Sequence, residues 1–148
     1  MPSITNISRH AAMNTYTPRE GSVMISINDP CSADSMRFNN ADMYHKVVKL
    51  EFLDLDFDYN GSDEGLEELM LTYEQANEIA STLMEAIAEG RDVVVHCNEG
   101  LSSSGSIVEA GMHTGFTEVH PNRLPNMYVL HEVVAAIWRK MEFRSSKL

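Results

Sequence analysis

The chain has 148 residues, a length typical of a single domain, so we expect one domain spanning residues 1–148. Hydrophobic residues make up 43% of the chain and charged residues 22%, a balance typical of a folded globular protein rather than a disordered one. With 22 acidic and 11 basic residues the formal net charge is −11, which excludes a broad binding surface for nucleic acid or anionic membranes and restricts any phosphate site to a local one.

Four runs rich in β-branched residues predict β-strands. They lie at residues 4–7, 22–27, 46–52 and 92–96. The uninterrupted run of Val93, Val94 and Val95 indicates a strand that is covered on both faces, as in the centre of a parallel sheet. Residues 58–65 are rich in Asp, Gly, Ser and Asn, which predicts a loop within the same domain.

Three helices are predicted in the second half of the chain. Residues 72–75 match a capping box, and Gly90 is typical of the end of the helix that they begin. A second helix is predicted to begin near Ser104, and apolar spacing predicts a third over residues 126–141 with Trp138 in its packed face. Strands alternating with helices predict an α/β fold with a mostly parallel central sheet flanked by helices.

The most informative segment follows the fourth strand and reads His-Cys-Asn-Glu-Gly-Leu-Ser-Ser-Ser-Gly from His96 to Gly105. A glycine-containing loop that leads into a helix can point its backbone N–H groups at one centre, and the positive end of the helix dipole points there too. Cys97 at the start of this loop would be stabilised as a thiolate and would be nucleophilic at neutral pH. The segment therefore suits covalent phosphoryl transfer.

His96, Cys97, Gly100, Ser102 and Ser104 fall on signature positions of the cysteine-dependent protein phosphatases, and here the chain resembles the compact dual-specificity and tyrosine phosphatases, including small bacterial and phage members. Their signature is His-Cys, five residues, Arg, then Ser or Thr. The resemblance covers nearly the whole chain and implies a compact protein-tyrosine-phosphatase-like fold. It extends to an early strand and turn, an acid-bearing segment and a Pro-Asn-Arg stretch, which correspond here to residues 22–30, 50–56 and 120–124.

The resemblance also implies roles for individual residues. Cys97 would attack phosphorus and form a phosphocysteine, and Asp54 would protonate the leaving oxygen and then activate water, with Asp56 as the next candidate for that acid. His96 would order the loop and, with Ser104, tune the thiolate. The phosphate would be held by the loop residues Asn98, Glu99, Gly100, Leu101, Ser102, Ser103 and Ser104. Two further aspartates of the same region, Asp58 and Asp63, are weaker candidates for the acid.

The chain departs from the signature at its arginine, whose place is taken by Ser103. An arginine there grips two phosphate oxygens through its planar guanidinium and stabilises the transition state, which a short neutral side chain cannot do. The chain therefore fits a phosphatase impaired by replacement of this arginine, by nature or by engineering. The alternatives are a natural pseudophosphatase that binds phosphorylated partners without turnover, and an acidic interaction or inhibitor protein, which a phage could encode.

The remaining features predict a cytoplasmic protein, in the host cytoplasm if a phage encodes it. Two cysteines suit a reducing compartment, and neither a signal peptide nor an apolar run long enough for a membrane is present in the sequence. The histidines lack metal-ligand spacing, so we expect no metal and no cofactor. The expected partner is a phosphorylated protein or peptide, without nucleic acid or membrane. Cys31 is interpreted as a bystander thiol and Arg123 as a member of a structural ion pair.

Overall fold

The computed structural model describes residues 2–53, 69–119 and 123–146. Its strands are β1 (Ser3–Ser8), β2 (Ser22–Asn28), β3 (Tyr44–Glu51), β4 (Val93–Cys97) and β5 (Thr117–Glu118). Its α-helices are α1 (Arg9–Asn14), α2 (Tyr73–Glu89), α3 (Ser103–Met112) and α4 (Met127–Ser146). The four predicted strands and three predicted helices are all found. Helix α1 and strand β5 were not predicted, because six and two residues are too few to show a hydrophobic period.

The described strands form one parallel sheet in the order β3-β2-β4-β1-β5. Strand β4 lies at the centre, where Val93 pairs with Ile4 of β1 on one side and with Val23 of β2 on the other. Its five residues are all buried, as the run of valines predicts. The predicted fold class, α/β with a parallel central sheet flanked by helices, is confirmed.

Side chains of β4 alternate between two apolar layers on opposite faces of the sheet. Val93, Val95 and Cys97 belong to the larger layer, which contains buried residues of α2, α3 and α4. Val94 faces a smaller layer with Ala12 of α1, together with Met24, Met36 and Tyr44. Because residues in a strand alternate between faces, His96 and Cys97 at the end of β4 point to different layers.

Parallel pairing brings the carboxyl ends of three strands to one edge of the sheet. Ser8 at the end of β1 pairs with Cys97, and Ser26 near the end of β2 pairs with His96. In open α/β sheets this edge is where ligands bind. The loops that follow β1, β2 and β4 therefore meet beside Cys97.

The predicted ends of α2 are confirmed by the structure, whereas one predicted core residue of α4 is not. Thr72 and Gln75 form the predicted capping box at the start of α2, and Gly90 ends that helix in the left-handed conformation. Helix α4 buries Val129, Val133 and Ile137, but the prediction that Trp138 packs in the core is wrong, because its side chain is 61% exposed. None of the helices in the described ranges is long and apolar enough to cross a membrane.

Candidate functional site

The thiol of Cys97 lies at the junction of β4 and α3, 6% exposed, with two polar groups around its sulfur. The Ser104 hydroxyl oxygen is 3.0 Å from Sγ, and the backbone N–H of Gly100 donates to Sγ at 3.3 Å. When the sulfur is a thiolate, both groups act as donors to it. The N-terminus of α3, the positive end of its dipole, begins six residues after Cys97.

Gly100 allows the cysteine loop, residues 97–103, to pack directly against the end of β1. Its φ is +81°, and a Cβ atom there would lie 2.5 Å from the carbonyl carbon of Ile7 and from the nitrogen of Ser8. The Asn6 side-chain amide also donates to the Gly100 carbonyl oxygen at 2.6 Å. Any side chain at position 100 would therefore clash with backbone, which explains why a glycine stands there.

His96 belongs to a directional chain of hydrogen bonds on the other face of β4. Its Nδ1–H donates to the Cys97 carbonyl oxygen at 3.3 Å, so the Nε2 of the neutral ring accepts from the Ser26 hydroxyl at 2.6 Å. The Asn28 side-chain NH₂ donates to the Ser26 hydroxyl oxygen at 3.0 Å, and the Asn28 side-chain oxygen accepts from Arg9 Nη1 at 3.0 Å. Burial, with a smaller contribution from the Arg9 charge, lowers the pKa of His96 from 6.5 to about 4. His96 is thus neutral at pH 7 and is placed to order the loop.

Cys97 opens into a cleft of about 300 Å³ at the carboxyl edge of the sheet. Its described lining is Arg9, Ile27, Asn28, Asp29, Ser32, Phe52, Cys97, Asn98, Glu99, Ser102 and Ser103. The predicted phosphate-binding residues Gly100, Leu101 and Ser104 are not in that lining. Gly100 and Ser104 instead contact the sulfur of Cys97. The Leu101 carbonyl accepts a hydrogen bond from the Leu124 N–H at 2.9 Å.

Ser103 is the first residue of α3 and is fully buried in the cleft wall. Its hydroxyl has no hydrogen-bond partner among the described residues. A buried hydroxyl without a partner is uncommon, because its desolvation is not compensated. The Ser103 hydroxyl is therefore an unsatisfied polar group buried within the wall of the cleft.

Arg9 lines the cleft but was not predicted as a site residue from the sequence. It is the first residue after β1, and its backbone N–H donates to the Asn98 carbonyl oxygen at 3.1 Å. The guanidinium donates to Asn28 through Nη1 and to Ser35 through Nη2, at 3.0 and 3.1 Å. A signal for it existed, because Arg9 lies two residues after the predicted strand at residues 4–7, and residues after parallel strands meet at one sheet edge.

Other predicted residues lie away from the described lining of this cleft or beyond the described chain. Asp54, Asp56, Asp58 and Asp63 all fall outside the described residues. The thiol of Cys31 is exposed and not part of a disulfide. Within the described ranges, no group of three or more His, Cys, Asp or Glu side chains is placed to hold a metal ion.

Arg123 forms structural ion pairs, as predicted from the sequence. Its Nε donates to Glu109 at 2.7 Å and its Nη1 to Glu118 at 3.0 Å, with the arginine side chain only 7% exposed. These contacts tie α3 to β5. The guanidinium is thus engaged by two carboxylates, and Arg123 is not part of the described cleft lining.

No family model matches the chain, and no curated protein matches it in sequence. Among solved structures, the chain is similar to the human tyrosine phosphatase-like serine/threonine/tyrosine-interacting protein, with a TM-score of 0.61 and 15% sequence identity. The match covers 97% of this chain and 95% of that chain. At this identity the likeness concerns the fold. The chain therefore has a tyrosine phosphatase-like α/β fold.

Proposed function

We propose that the protein is a protein phosphatase of the tyrosine or dual-specificity type that works through a phosphocysteine at Cys97. The observation that carries this proposal is the environment of its sulfur. Sγ faces a cleft of about 300 Å³ and is contacted by the Ser104 hydroxyl and the Gly100 N–H. A nucleophile poised in a small polar cleft beside a helix N-terminus suits attack on a phosphate ester.

The reaction would proceed in two displacements. In the first, the Cys97 thiolate forms a bond to phosphorus, the bond to the ester oxygen breaks, and Asp54 gives its proton to the leaving oxygen. In the second, Asp54 takes a proton from water, the water oxygen attacks phosphorus, and the sulfur leaves with its charge stabilised by Ser104. The amides of the cleft-lining loop residues 98, 99, 102 and 103 would hold the phosphate oxygens throughout, and Asp56 is the alternative acid.

Ser103 would reduce the rate of this reaction. Loss of one preorganised donor to the transition state typically costs about 10²–10³ in rate. The thiolate and the loop amides remain, so slow turnover is expected rather than none. A reducing cytoplasm would keep Cys97 as a free thiol, as this chemistry requires.

Steady-state hydrolysis of p-nitrophenyl phosphate tests the proposal. We expect slow hydrolysis by the wild-type protein, about 10²–10³ faster hydrolysis by Ser103→Arg, and none above background by Cys97→Ser in either background. Cys31→Ser is the matched control and should leave both rates unchanged. Equal rates for the wild-type and Cys97→Ser proteins, together with no gain from Ser103→Arg in a folded protein, would overturn the phosphatase proposal.

The general acid has its own test, in the Ser103→Arg background. Asp54→Asn should slow hydrolysis of phosphotyrosine far more than hydrolysis of p-nitrophenyl phosphate, because only the poor leaving group needs the proton. Asp56→Asn is the matched comparison. If Asp56→Asn shows this asymmetry and Asp54→Asn does not, the acid is Asp56.

A second candidate is a binding module that recognises a phosphorylated partner without turnover. Two observations favour it: a serine stands at the signature arginine position, and the similar human protein is described as an interacting protein. Fluorescence anisotropy with a labelled phosphotyrosine peptide, read beside phosphate release, separates the candidates. Binding without release in both the wild-type and Ser103→Arg proteins would select the binding module.

A further inference from the structure

We infer that Arg9, which directly follows β1, supplies a guanidinium that binds the phosphate group in this cleft. This inference rests on the proposed function, because it assigns a ligand contact in the same cleft. Arg9 is the one cationic side chain in the described lining. It would therefore act as a phosphate-binding residue from a segment, the junction of β1 and α1, that is distant in sequence from the cysteine loop.

The backbone geometry fixes Arg9 beside the nucleophile. Parallel pairing sets Ser8 opposite Cys97, so the next residues of the two strands, Arg9 and Asn98, leave the sheet side by side. The hydrogen bond from the Arg9 N–H to the Asn98 carbonyl joins them directly at 3.1 Å. The position of Arg9 is thus set by the sheet register rather than by a flexible loop.

The guanidinium is held by neutral partners, the Asn28 side-chain oxygen and the Ser35 hydroxyl. Ion pairs among the described residues do not include Arg9. A guanidinium has five N–H donors, and these two bonds use two of them. Arg9 therefore keeps its positive charge uncompensated by these contacts and retains donors for an oxyanion. Its field already reaches the neighbouring imidazole, where it helps to lower the pKa of His96.

Ser103, another residue of the cleft lining, provides independent support. Its hydroxyl is fully buried, lines the cleft and has no partner among the described residues. Ligand oxygens in the cleft would offer acceptors to this hydroxyl once a side-chain rotation turns it towards them, and they would meet the guanidinium of Arg9. Asp29 and Glu99 also line the cleft, but both are exposed to solvent, where water screens their repulsion of an anion.

The test measures how well inorganic phosphate protects Cys97 from iodoacetamide, with Cys31 as the internal reference and ionic strength held constant. We expect protection in the wild-type protein and, as a matched control, in Arg19→Ala, whose side chain is exposed outside the cleft lining. In Arg9→Ala the phosphate concentration for half protection should rise about 10- to 100-fold, as expected for loss of charge-assisted hydrogen bonds. Arg9→Lys should fall between the two.

A second background separates direct phosphate binding from support of Asn28. If Arg9 binds the anion, Arg9→Ala should raise the half-protection concentration less in a Ser103→Arg background, because the new guanidinium supplies the same contact. A merely structural Arg9 would cost the same in both backgrounds, which would overturn the inference. Arg9→Gln keeps a donor for Asn28 but removes the charge, and should behave like Arg9→Ala.

Failure of this inference is distinguishable from failure of the proposed function. If phosphate protects Cys97 equally in wild-type and Arg9→Ala proteins, the inference is wrong while an oxyanion site at Cys97 stands. If phosphate protects neither the wild-type nor the Ser103→Arg protein, both being folded, the site does not bind phosphate, and the proposed function and the inference are both overturned.

Discussion

Two arginines, Arg123 beside β5 and Arg9 in the cleft, are held in opposite ways. On the β5 side, Arg123 is 7% exposed and is paired with the carboxylates of Glu109 and Glu118. On the cleft side, Arg9 donates to an amide oxygen and a hydroxyl, both neutral. An arginine with two carboxylate partners has its charge balanced within the protein. An arginine with neutral partners gains most from an incoming anion, so the same residue type stabilises the fold on one side and suits ligand binding on the other.

The largest effect that separates the two sides is expected from Arg123→Ala. This change leaves two carboxylates without their buried partner, and we expect it to lower the free energy of unfolding by roughly 2–4 kcal/mol. Arg9→Ala should lower it by less than about 1 kcal/mol, because only hydrogen bonds to neutral groups are lost. Urea unfolding of both variants measures the difference. Equal losses of stability would contradict the distinction between the two arginines.

Acid should lower the free energy of unfolding through His96, which is linked to Arg9 by hydrogen bonds. Its pKa is lowered from 6.5 in the unfolded chain to about 4 in the fold, so the unfolded state binds the proton more readily. The stabilisation from the neutral ring is complete above pH 6.5 and is lost as the pH falls towards 4, by roughly 3 kcal/mol. Urea unfolding between pH 4 and pH 7 measures it, and His96→Gln should lack this component of the pH dependence.

The matched control for His96 is the exposed residue His10. His10→Gln should retain the wild-type dependence of stability on pH. If His96→Gln and wild-type proteins lose stability in parallel between pH 6.5 and pH 4, the ring is not held neutral by the fold.

Gly105→Ala tests the close packing of α3 against Arg123. A Cβ at position 105 would lie 2.7 Å from the Arg123 Cβ, an atom that cannot move without its backbone. We expect a loss of about 1–3 kcal/mol in unfolding free energy from this overpacking. Gly111→Ala is the matched comparison in the same helix, because its nearest contact is the flexible Ile4 Cδ1 at 2.6 Å. A smaller effect at Gly105 than at Gly111 would contradict this description.

The smallest effects concern the neighbouring serines at the start of α3. Ser103→Ala removes a buried hydroxyl without a partner among the described residues and should raise the free energy of unfolding by about 1 kcal/mol. Ser104→Ala removes the hydroxyl 3.0 Å from the Cys97 sulfur and should slow alkylation of that thiol by iodoacetamide. Slower alkylation in Ser103→Ala than in Ser104→Ala would contradict the assignment of Ser104 to the sulfur.

Much of the fold follows from local sequence signals. The valine run of β4 predicts a central parallel strand because it leaves no polar face, and Thr72 with Gln75 marks the start of α2 through its own hydrogen bonds. The exposed Trp138 was mispredicted because a helical period does not show how wide the packed face is. The roles of Cys97 and of the loop that follows it remain predictions from the resemblance.

Arg9 could not be assigned to the site from the pattern around Cys97, because the two lie 88 positions apart in the chain. Their proximity depends on which strands pair and in what register, and a strand's own residues do not specify its neighbour. The pairing of Ser8 with Cys97 supplies that information. A site built from two distant strand ends is thus less visible in sequence than a continuous loop.

The most direct test of the account is a crystal structure of the Cys97→Ser protein soaked with tungstate, a tetrahedral oxyanion. We expect tungstate in the cleft, hydrogen-bonded by backbone amides of the lining residues 98, 99, 102 and 103 and by the Arg9 guanidinium at about 3 Å. A cleft that stays empty at saturating tungstate would contradict the phosphate site itself. Tungstate in the cleft while Arg9 contacts only Asn28 and Ser35 would contradict the assignment of Arg9 as the phosphate-binding arginine.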